Sequence, residues 1–539
     1  MTTLAPPAAD TTPEPSSRRR RKAPLPLWLL AGALVLPALI PIAYLVWAVV
    51  RPGGIDAGGI PAGRLLELFG STARLMVAVT VTTSVLGAAT AWLTTRTDLK
   101  GARLWSTLLT LPLVIPSYVG ALAFLGLSGN EGLLSKLLVA AGLERLPVFS
   151  GFWAAWAALS LWNFSYVHLL AVPALRRMDP ALEEAARGLG ASRWRTFFTV
   201  VVPQLRPALL SGVLLVGLYV LSDFGAVSLL RYETFTRAIF TQFRGRLDVT
   251  PALFLSGVLV LVALVVVWAE QRARGRAALY AHKPPRRPVM VPLNGWRRAG
   301  AYTFLGTVVA AALVFPLLTL AWWAARGLSL GSPVGPVLGD LTRSAMVSSL
   351  AAVVTVAAAV PVAVLTVRFA GRATRALESV AWSTYSLPHL AVGLGFLVVA
   401  VRFVPPLYQS VLLLVVAYVA MFLPQAMSAA QTGLRQVGPS LEEASRSLGI
   451  GPVGTLWRVT LPLLGRSLLA GGGIVFLSAM KELPATLLLR PTGFETLAVH
   501  VWSASSELFY TDASVAALVL VAISAVPLYL LVARDLHRT

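Results

Sequence analysis

Residues 182–203 read LEEAARGLGASRWRTFFTVVVP, and residues 441–462 read LEEASRSLGIGPVGTLWRVTLP. Matched positions lie 259 residues apart: Glu184 with Glu443, Gly190 with Gly449, Pro203 with Pro462. Seven of the first nine positions are identical. Both copies are polar islands between long apolar runs. The same loop built twice suits something that offers two matching sockets.

Local chemistry predicts the loop's shape. Pro180 and Pro439 sit where a helix would start, and proline is tolerated in a first turn. Asp179 can act as N-cap in the first copy, and Gly438 more weakly in the second. Glu183, Glu184, Glu442 and Glu443 fall in the first turn, where carboxylates suit the positive end of the helix dipole. Gly190 and Gly449 offer a left-handed stop. A second short helix follows, capped by Ser192 in one copy and opened by Pro452 in the other, and ends near Pro203 or Pro462. The expectation is a short helix, a sharp bend and another short helix standing off a membrane.

The pattern Glu-Ala-Ala, three residues, Gly, nine residues, then Ile-x-Leu-Pro marks the permease subunits of ABC importers that use a substrate-binding protein. This chain resembles them twice. One copy has Glu184-Ala185-Ala186, Gly190 and Val200-x-Val202-Pro203; the other has Glu443-Ala444-Ser445, Gly449 and Val459-x-Leu461-Pro462. The departures are serine for the second alanine and valine for isoleucine or leucine. The resemblance implies a type I ABC importer permease fold in which the loop's first helix is a coupling helix docking in a groove of the ATPase subunit. It carries an ATPase-coupling role to Glu183, Glu184, Ala185, Gly190, Glu442, Glu443, Ala444 and Gly449. Small Ala185 and Ala444 would allow close approach, the glutamates would supply charge, and the glycines would aim the helix.

Composition agrees with a membrane chain. Of 539 residues, 57% are hydrophobic and 13% charged, with a mean hydropathy of +0.75. A soluble domain cannot hide that much apolar surface. Cysteine is absent, which removes disulfides, thiolate metal sites and cysteine nucleophiles. A net charge of +22 could suggest nucleic acid, but in so apolar a chain it reports a positive-inside bias. No nucleic-acid partner is expected.

Spans of about 20 apolar residues are predicted near 27–50, 74–95, 104–127, 151–175, 207–230 and 251–269. Six more follow near 299–324, 344–367, 379–401, 409–430, 466–489 and 513–533. The expected domains are a disordered basic cytoplasmic tail (1–26), a first permease repeat (27–270), a cytoplasmic linker (271–298) and a second repeat (299–539). The fold class is therefore all-α integral membrane, with two tandem parallel six-helix repeats and about 12 transmembrane helices. With the N-terminus inside, the inside segments carry 31 of the 45 Lys and Arg. That favours a multi-pass protein of the bacterial plasma (inner) membrane, both termini cytoplasmic, in contact with the lipid bilayer. The repeat extends past the loops: Asp223 and Glu482, Arg231 and Arg490, and Phe235 and Phe494 are also 259 apart. Upstream, Pro116 and Pro388 are 272 apart, so the first half has about 13 extra residues, expected within the external loop 128–150.

Ionisable residues within spans are default functional candidates. Asp223 and Glu482 are the pathway candidates because their equivalence would turn both to one central route. Lys481, His168 and His389 also qualify. Glu482 could instead pair locally with Lys481, and the histidines suit packed, hydrogen-bonded positions. Arg231, Arg237, Arg244 and Arg246 fall in an outside loop opposed only by Glu233 and Asp248. They are candidates for docking an acidic rim on a binding protein; headgroup contact is the alternative.

Residues 222–240 (SDFGAVSLLRYETFTRAIF) and 480–499 (MKELPATLLLRPTGFETLAV) resemble the matching parts of fused permeases for ferric iron. Fused permeases for thiamine and for aminoethylphosphonate share the layout. The implied role is translocation of a solute, ferric iron foremost, handed over by an extracytoplasmic substrate-binding protein. No G-x-x-x-x-G-K-[ST] sequence occurs and no lysine follows a glycine. ATP would therefore be used by the partner subunit, in two copies, and no cofactor, catalytic residue or resident metal is expected in this chain. An ion-coupled carrier would fit twelve spans but has no use for paired ATPase sockets. A membrane enzyme would need a clustered acid, base or metal set, whereas the histidines are scattered and no H-E-x-x-H occurs.

Overall fold

The computed structural model describes residues 23–50, 60–129, 131–245, 248–274 and 290–536. Residues 1–22 of the expected tail and 275–289 of the expected linker lie outside them. The first half comprises α1 (Leu25–Val50), α2 (Ala62–Thr95), α3 (Ala102–Thr110), α4 (Ser117–Leu127), α5 (Leu133–Ala140), α6 (Gly151–Arg176), α7 (Pro180–Gly188), α8 (Arg193–Thr196), α9 (Val202–Ser222), α10 (Gly225–Leu229), α11 (Phe235–Gly245) and α12 (Thr250–Arg274). The second half comprises α13 (Trp296–Val309), α14 (Phe315–Ser329), α15 (Val337–Arg368), α16 (Arg372–Ser383), α17 (His389–Phe403), α18 (Val411–Gln436), α19 (Pro439–Ser447), α20 (Pro452–Thr455), α21 (Leu461–Met480), α22 (Pro484–Leu489), α23 (Leu497–Ser506) and α24 (Tyr510–Leu536). From α2 onward the halves match element for element, except that α5 has no counterpart. It falls inside the stretch expected to hold the extra residues.

Ten helices are long and apolar enough to cross a membrane, and two bent pairs raise the number to as many as 12. The bent pairs revise two expected straight spans. Between α3 and α4 the chain turns by 91°, and between α16 and α17 by 106°. Ile115 and Leu387, just before Pro116 and Pro388, are extended at ψ 113° and 148°. Proline's ring disfavours helical backbone in the residue before it, so the helix must break there.

The loop also departs from expectation. Its second helix does not end near the proline. Residues 193–222 and 452–480 run on as long helices, each with a π-helical turn at Phe197–Val201 or Leu456–Thr460. Pro203 and Pro462 follow that turn, where the widened hydrogen-bond pattern accommodates a residue without an N–H. The fifth span of each half thus starts earlier than predicted and stops at Ser222 or Met480. Asp223 and Glu482 sit just beyond it, outside the helix.

The halves exchange their first helices. α1 packs on α15 and α17 of the second half, and α14 packs on α4 of the first. A Cβ at Gly395 of α17 would lie 2.6 Å from Pro41 Cβ of α1, so only glycine permits that crossing. In the other crossing the Trp323 indole N–H donates to Gly126 O at 2.9 Å. Small residues bring helices close where lipid supplies no hydrophobic drive between them.

Where the central linker rejoins the body it straps the first half. Val291 N–H donates to Arg96 O at 2.8 Å and Leu293 N–H to Asp98 Oδ1 at 2.7 Å. Arg298 pairs with Asp98 at 2.8 Å. The Leu293 N–H, and after it the Arg298 charge, hold the Asp98 carboxyl below its usual range against a smaller opposing effect of desolvation.

Candidate functional site

The two loops share one construction. Asp179 Oδ1 accepts the Ala181 N–H at 3.0 Å and Ser192 Oγ the Arg195 N–H at 3.3 Å, as their capping chemistry predicts. α7 ends with Gly190 N–H on Arg187 O and Ala191 N–H on Ala186 O. α19 repeats this with Gly449 on Arg446 and Ile450 on Ser445. Both glycines are left-handed, at φ +85° and +82°. This is the glycine-terminated double bond that closes a helix and redirects the chain.

The loop presents Glu184, Ala185 and Gly190 outward in one copy and Glu443, Ala444 and Gly449 in the other. Large apolar side chains stand beside them at repeated positions: Leu189 (90% exposed), Trp194 and Phe198, then Leu448 (80%), Val453 and Trp457. Glu183 and Glu442 point the other way. Glu183 is buried in an ion pair with fully buried Arg96. Glu442 Oε1 accepts from Arg368 Nη2 at 2.9 Å and Nε at 3.2 Å. The partners Arg96 and Arg368 were missed from sequence, although their 272-residue spacing equals that of the two prolines.

Asp223 and Glu482 do come to one place, a cavity of about 230 Å³ between the halves. Each caps the short helix after it. Asp223 Oδ1 accepts from Ala226 and Val227 N–H at 3.1 and 3.3 Å, and Glu482 Oε1 from Ala485 N–H at 3.1 Å. Their second oxygens reach the bent spans: Asp223 Oδ2 accepts from the Ser117 hydroxyl, and Glu482 Oε2 lies 2.7 Å from His389 Nδ1. Ser117 and His389 are themselves equivalent, each directly after its helix-breaking proline. Lys481 does not pair with Glu482; its Nζ donates to Leu113 O at 3.1 Å, across the boundary between halves. Tyr118, Tyr166, Tyr219 and Tyr385 are among the other residues that line it. His168 lies elsewhere, buried between Thr90 Oγ1 (3.0 Å) and Ser106 Oγ (3.1 Å) as a packed helix residue.

On the face away from the loops, Arg231, Arg237 and Arg244 line a larger cavity of about 750 Å³, closed on its far wall by Trp502 and Tyr510 of the second half. Arg237 pairs with Glu233 at 3.1 Å, and Arg244 lies 5.7 Å from the centre of the Phe240 ring. Arg231 holds a left-handed backbone at φ +56°. Arg246 lies outside the described residues. Nearby, His500 bridges Asp340 (2.6 Å) and Asp512 (2.9 Å), a cluster not singled out from sequence.

A bent-span frame with two loops on one side and a shared cavity between its halves can now be set against known proteins. The family model described as "Binding-protein-dependent transport system inner membrane component" matches residues 83–274 and again residues 356–534. The chain belongs to that family. It is a fused, two-domain permease of the ABC importer class, a multi-pass membrane protein whose transport work depends on a binding protein. The permease is 31% identical over 518 residues to the Fe(3+)-transport system permease protein FbpB 2 of Haemophilus influenzae, covering 95% of this chain and 98% of the relative. It is 25% identical to the ferric transport system permease protein FbpB of Actinobacillus pleuropneumoniae, over 79% of this chain and 65% of that one. The sulfate transport system permease protein CysT of Escherichia coli is 29% identical over 36% of this chain and 70% of its own length.

Proposed function

We propose that this permease carries ferric iron across the plasma membrane, receiving it from an extracytoplasmic binding protein and powered by two copies of a separate ATPase. The observation that carries the iron reading is the match to a permease named for Fe(3+) along nearly the whole of both chains. The cavity chemistry supports it, since carboxylate and phenol oxygens suit a hard trivalent cation better than soft ligands do. Cargo passes between the halves beside Asp223 and Glu482. Repeats 27–270 and 299–539 each contribute one wall.

The ATPase subunits dock on the exposed faces of α7–α8 and α19–α20, which present a carboxylate and three large apolar groups each. These loops face the cytoplasm, as the positive-inside count favours, and both termini lie there too. Arg231, Arg237 and Arg244 then open on the outer side and meet acidic groups of the binding protein. The chain binds no cofactor of its own. ATP closure of the ATPase dimer draws the coupling helices together and opens the cavity outward, and hydrolysis resets it.

The deciding experiment is uptake of radiolabelled ferric iron by cells lacking this chain, with and without it restored. Restored, ATP-dependent uptake is expected. No difference for iron, with an ATPase still co-purifying, would keep the importer and move the cargo to thiamine, a phosphonate or another small solute.

A further inference from the structure

Each half contains one helix that touches both ends of the machine. α2 has 34 residues and α15 has 32, so each is about 50 Å long at 1.5 Å per residue. At the coupling end, Arg96 follows the last residue of α2 and Arg368 is the last of α15, and these arginines hold Glu183 of α7 and Glu442 of α19. Toward the other end, 24 residues or about 36 Å before Arg96 at 1.5 Å per residue, Thr72 of α2 accepts the Phe235 N–H at 3.2 Å, where α11 begins. Ser344 of α15 accepts the Leu497 N–H at 2.7 Å, where α23 begins. Thr72 and Ser344 are 272 residues apart, as are Arg96 and Arg368. One two-ended pattern is therefore built twice.

The inner joints are tight. Arg368 Nη2 also donates to Val437 O at 2.8 Å, gripping the end of α18 as well as α19. Arg96 is fully buried, and its Nε and Nη1 have no hydrogen-bond partner among the described residues. Glu183 is thus its one anionic contact, and a buried arginine deprived of it would be left uncompensated. α7 and α19 otherwise turn their glutamate-alanine faces away from the body, so these pairs are the ionic attachments of the coupling helices to the long helices.

We infer that α2 and α15 are transmission rods. Arg96–Glu183 and Arg368–Glu442 fix each coupling helix to its rod, and Thr72 and Ser344 fix the other end to the segment carrying the outer docking surface. Glu183 and Glu442 are then positioning residues that make the coupling helix move with the rod, whereas Glu184 and Glu443 meet the ATPase. The inference rests on the importer reading.

The test uses the tagged full chain with the ATPase that co-purifies with it, and reads iron taken up per ATP hydrolysed. Glu183→Gln and Glu442→Gln are expected to lower that ratio at least tenfold while the ATPase stays bound at wild-type stoichiometry. Exchanging the charges of the less buried joint (Arg368→Glu with Glu442→Arg) recovers part of it, the donation to Val437 O being lost, whereas Arg368→Glu alone recovers none. A rod further predicts non-additivity. Ser344→Ala adds nothing to Glu442→Gln on the same rod, but Thr72→Val on the opposite rod multiplies the defect. Unchanged ratios in both glutamine variants, or loss of the ATPase from them, would overturn the proposal, as would additive effects along one rod. Should Glu183→Gln fail to accumulate, the α15 set decides alone. A wild-type chain that captures no ATPase would instead overturn the importer reading.

Discussion

Asp223 and Glu482 each use one oxygen to cap a short helix and the other to hold a bent span. A residue-scale experiment can separate architecture from cargo contact. Asp223→Asn retains a capping oxygen but not the charge, whereas Asp223→Ala loses both, and a lost cap costs about 1 kcal/mol. Equal accumulation of both proteins, with uptake lost already in Asp223→Asn, is the expected result if the charge serves the pathway; loss only in Asp223→Ala would make the residue architectural. Gly449 is a second case. At φ +82° a β-branched side chain is strained by roughly 1–2 kcal/mol. Gly449→Val should therefore misdirect α19 and reduce the ATPase recovered with the tagged chain, while Gly449→Asn retains most of it. The capping residues and these glycines were legible in the sequence because caps and left-handed turns are local. The Ser117 and His389 contacts were not, since they join residues 106 and 93 apart. The repeat could have disclosed them: two spacings, 272 and 259, superpose Ser117 on His389 and Asp223 on Glu482.

Among elements, the coupling helices and the strap invite opposite kinds of test. Glu184 and Glu443 are exposed on short helices beside large apolar groups, Leu189 and Leu448 among them. Glu184→Arg with Glu443→Arg should abolish uptake without reducing membrane insertion, measured by fractionation; normal uptake at normal abundance would refute ATPase docking there. The strap is held by Asp98, by the Val291 N–H on Arg96 O and by Leu293 packing beside Leu99. Asp98→Ala removes the acceptor of both Leu293 and Arg298, so cleavage by added protease within 290–298 should quicken while uptake persists in part. Hydropathy found each of the ten helices long and apolar enough to cross, although it placed the fifth span of each half too late. It could not distinguish a straight span from one turned by 91° or 106°, although Pro116 and Pro388 marked the sites. Nor could it see that Pro203 and Pro462 lie inside long helices, since a π-helical turn is an adjustment of hydrogen bonds that composition does not record.

Across the whole molecule, both faces carry arginine. The loop side is rich in it, with Arg187, Arg193 and Arg195 exposed beside Glu184, and the far side gathers Arg231, Arg237 and Arg244 around one large cavity. Reversing two of them (Arg237→Glu with Arg244→Glu) should weaken binding of the iron-loaded binding protein by roughly tenfold at low salt, with a smaller difference at high salt. Unchanged affinity by titration would dismiss the docking surface. The halves are also unequal where they are most alike. Arg490, the counterpart of Arg231, is neutralised by Glu495 at 2.9 Å, and Thr236 stands at the position corresponding to Glu495. Parallel repeats were readable from six spans per half. The exchange of α1 and α14 between halves was not, because lipid-facing and protein-facing apolar helices share a composition.

The strap also has a bearing on birth order. Leu293 is 195 residues downstream of the Asp98 side chain that holds it. During synthesis α2 leaves the ribosome long before the backbone that covers Arg96 exists. The first repeat can enter the bilayer, but the turn after α2 stays uncovered until translation has passed the linker. A nascent chain arrested before residue 290 should therefore expose that turn to labelling, and one arrested beyond α13 should protect it. Fusing the two repeats into one polypeptide thus gives the first half a finishing piece that it does not itself encode.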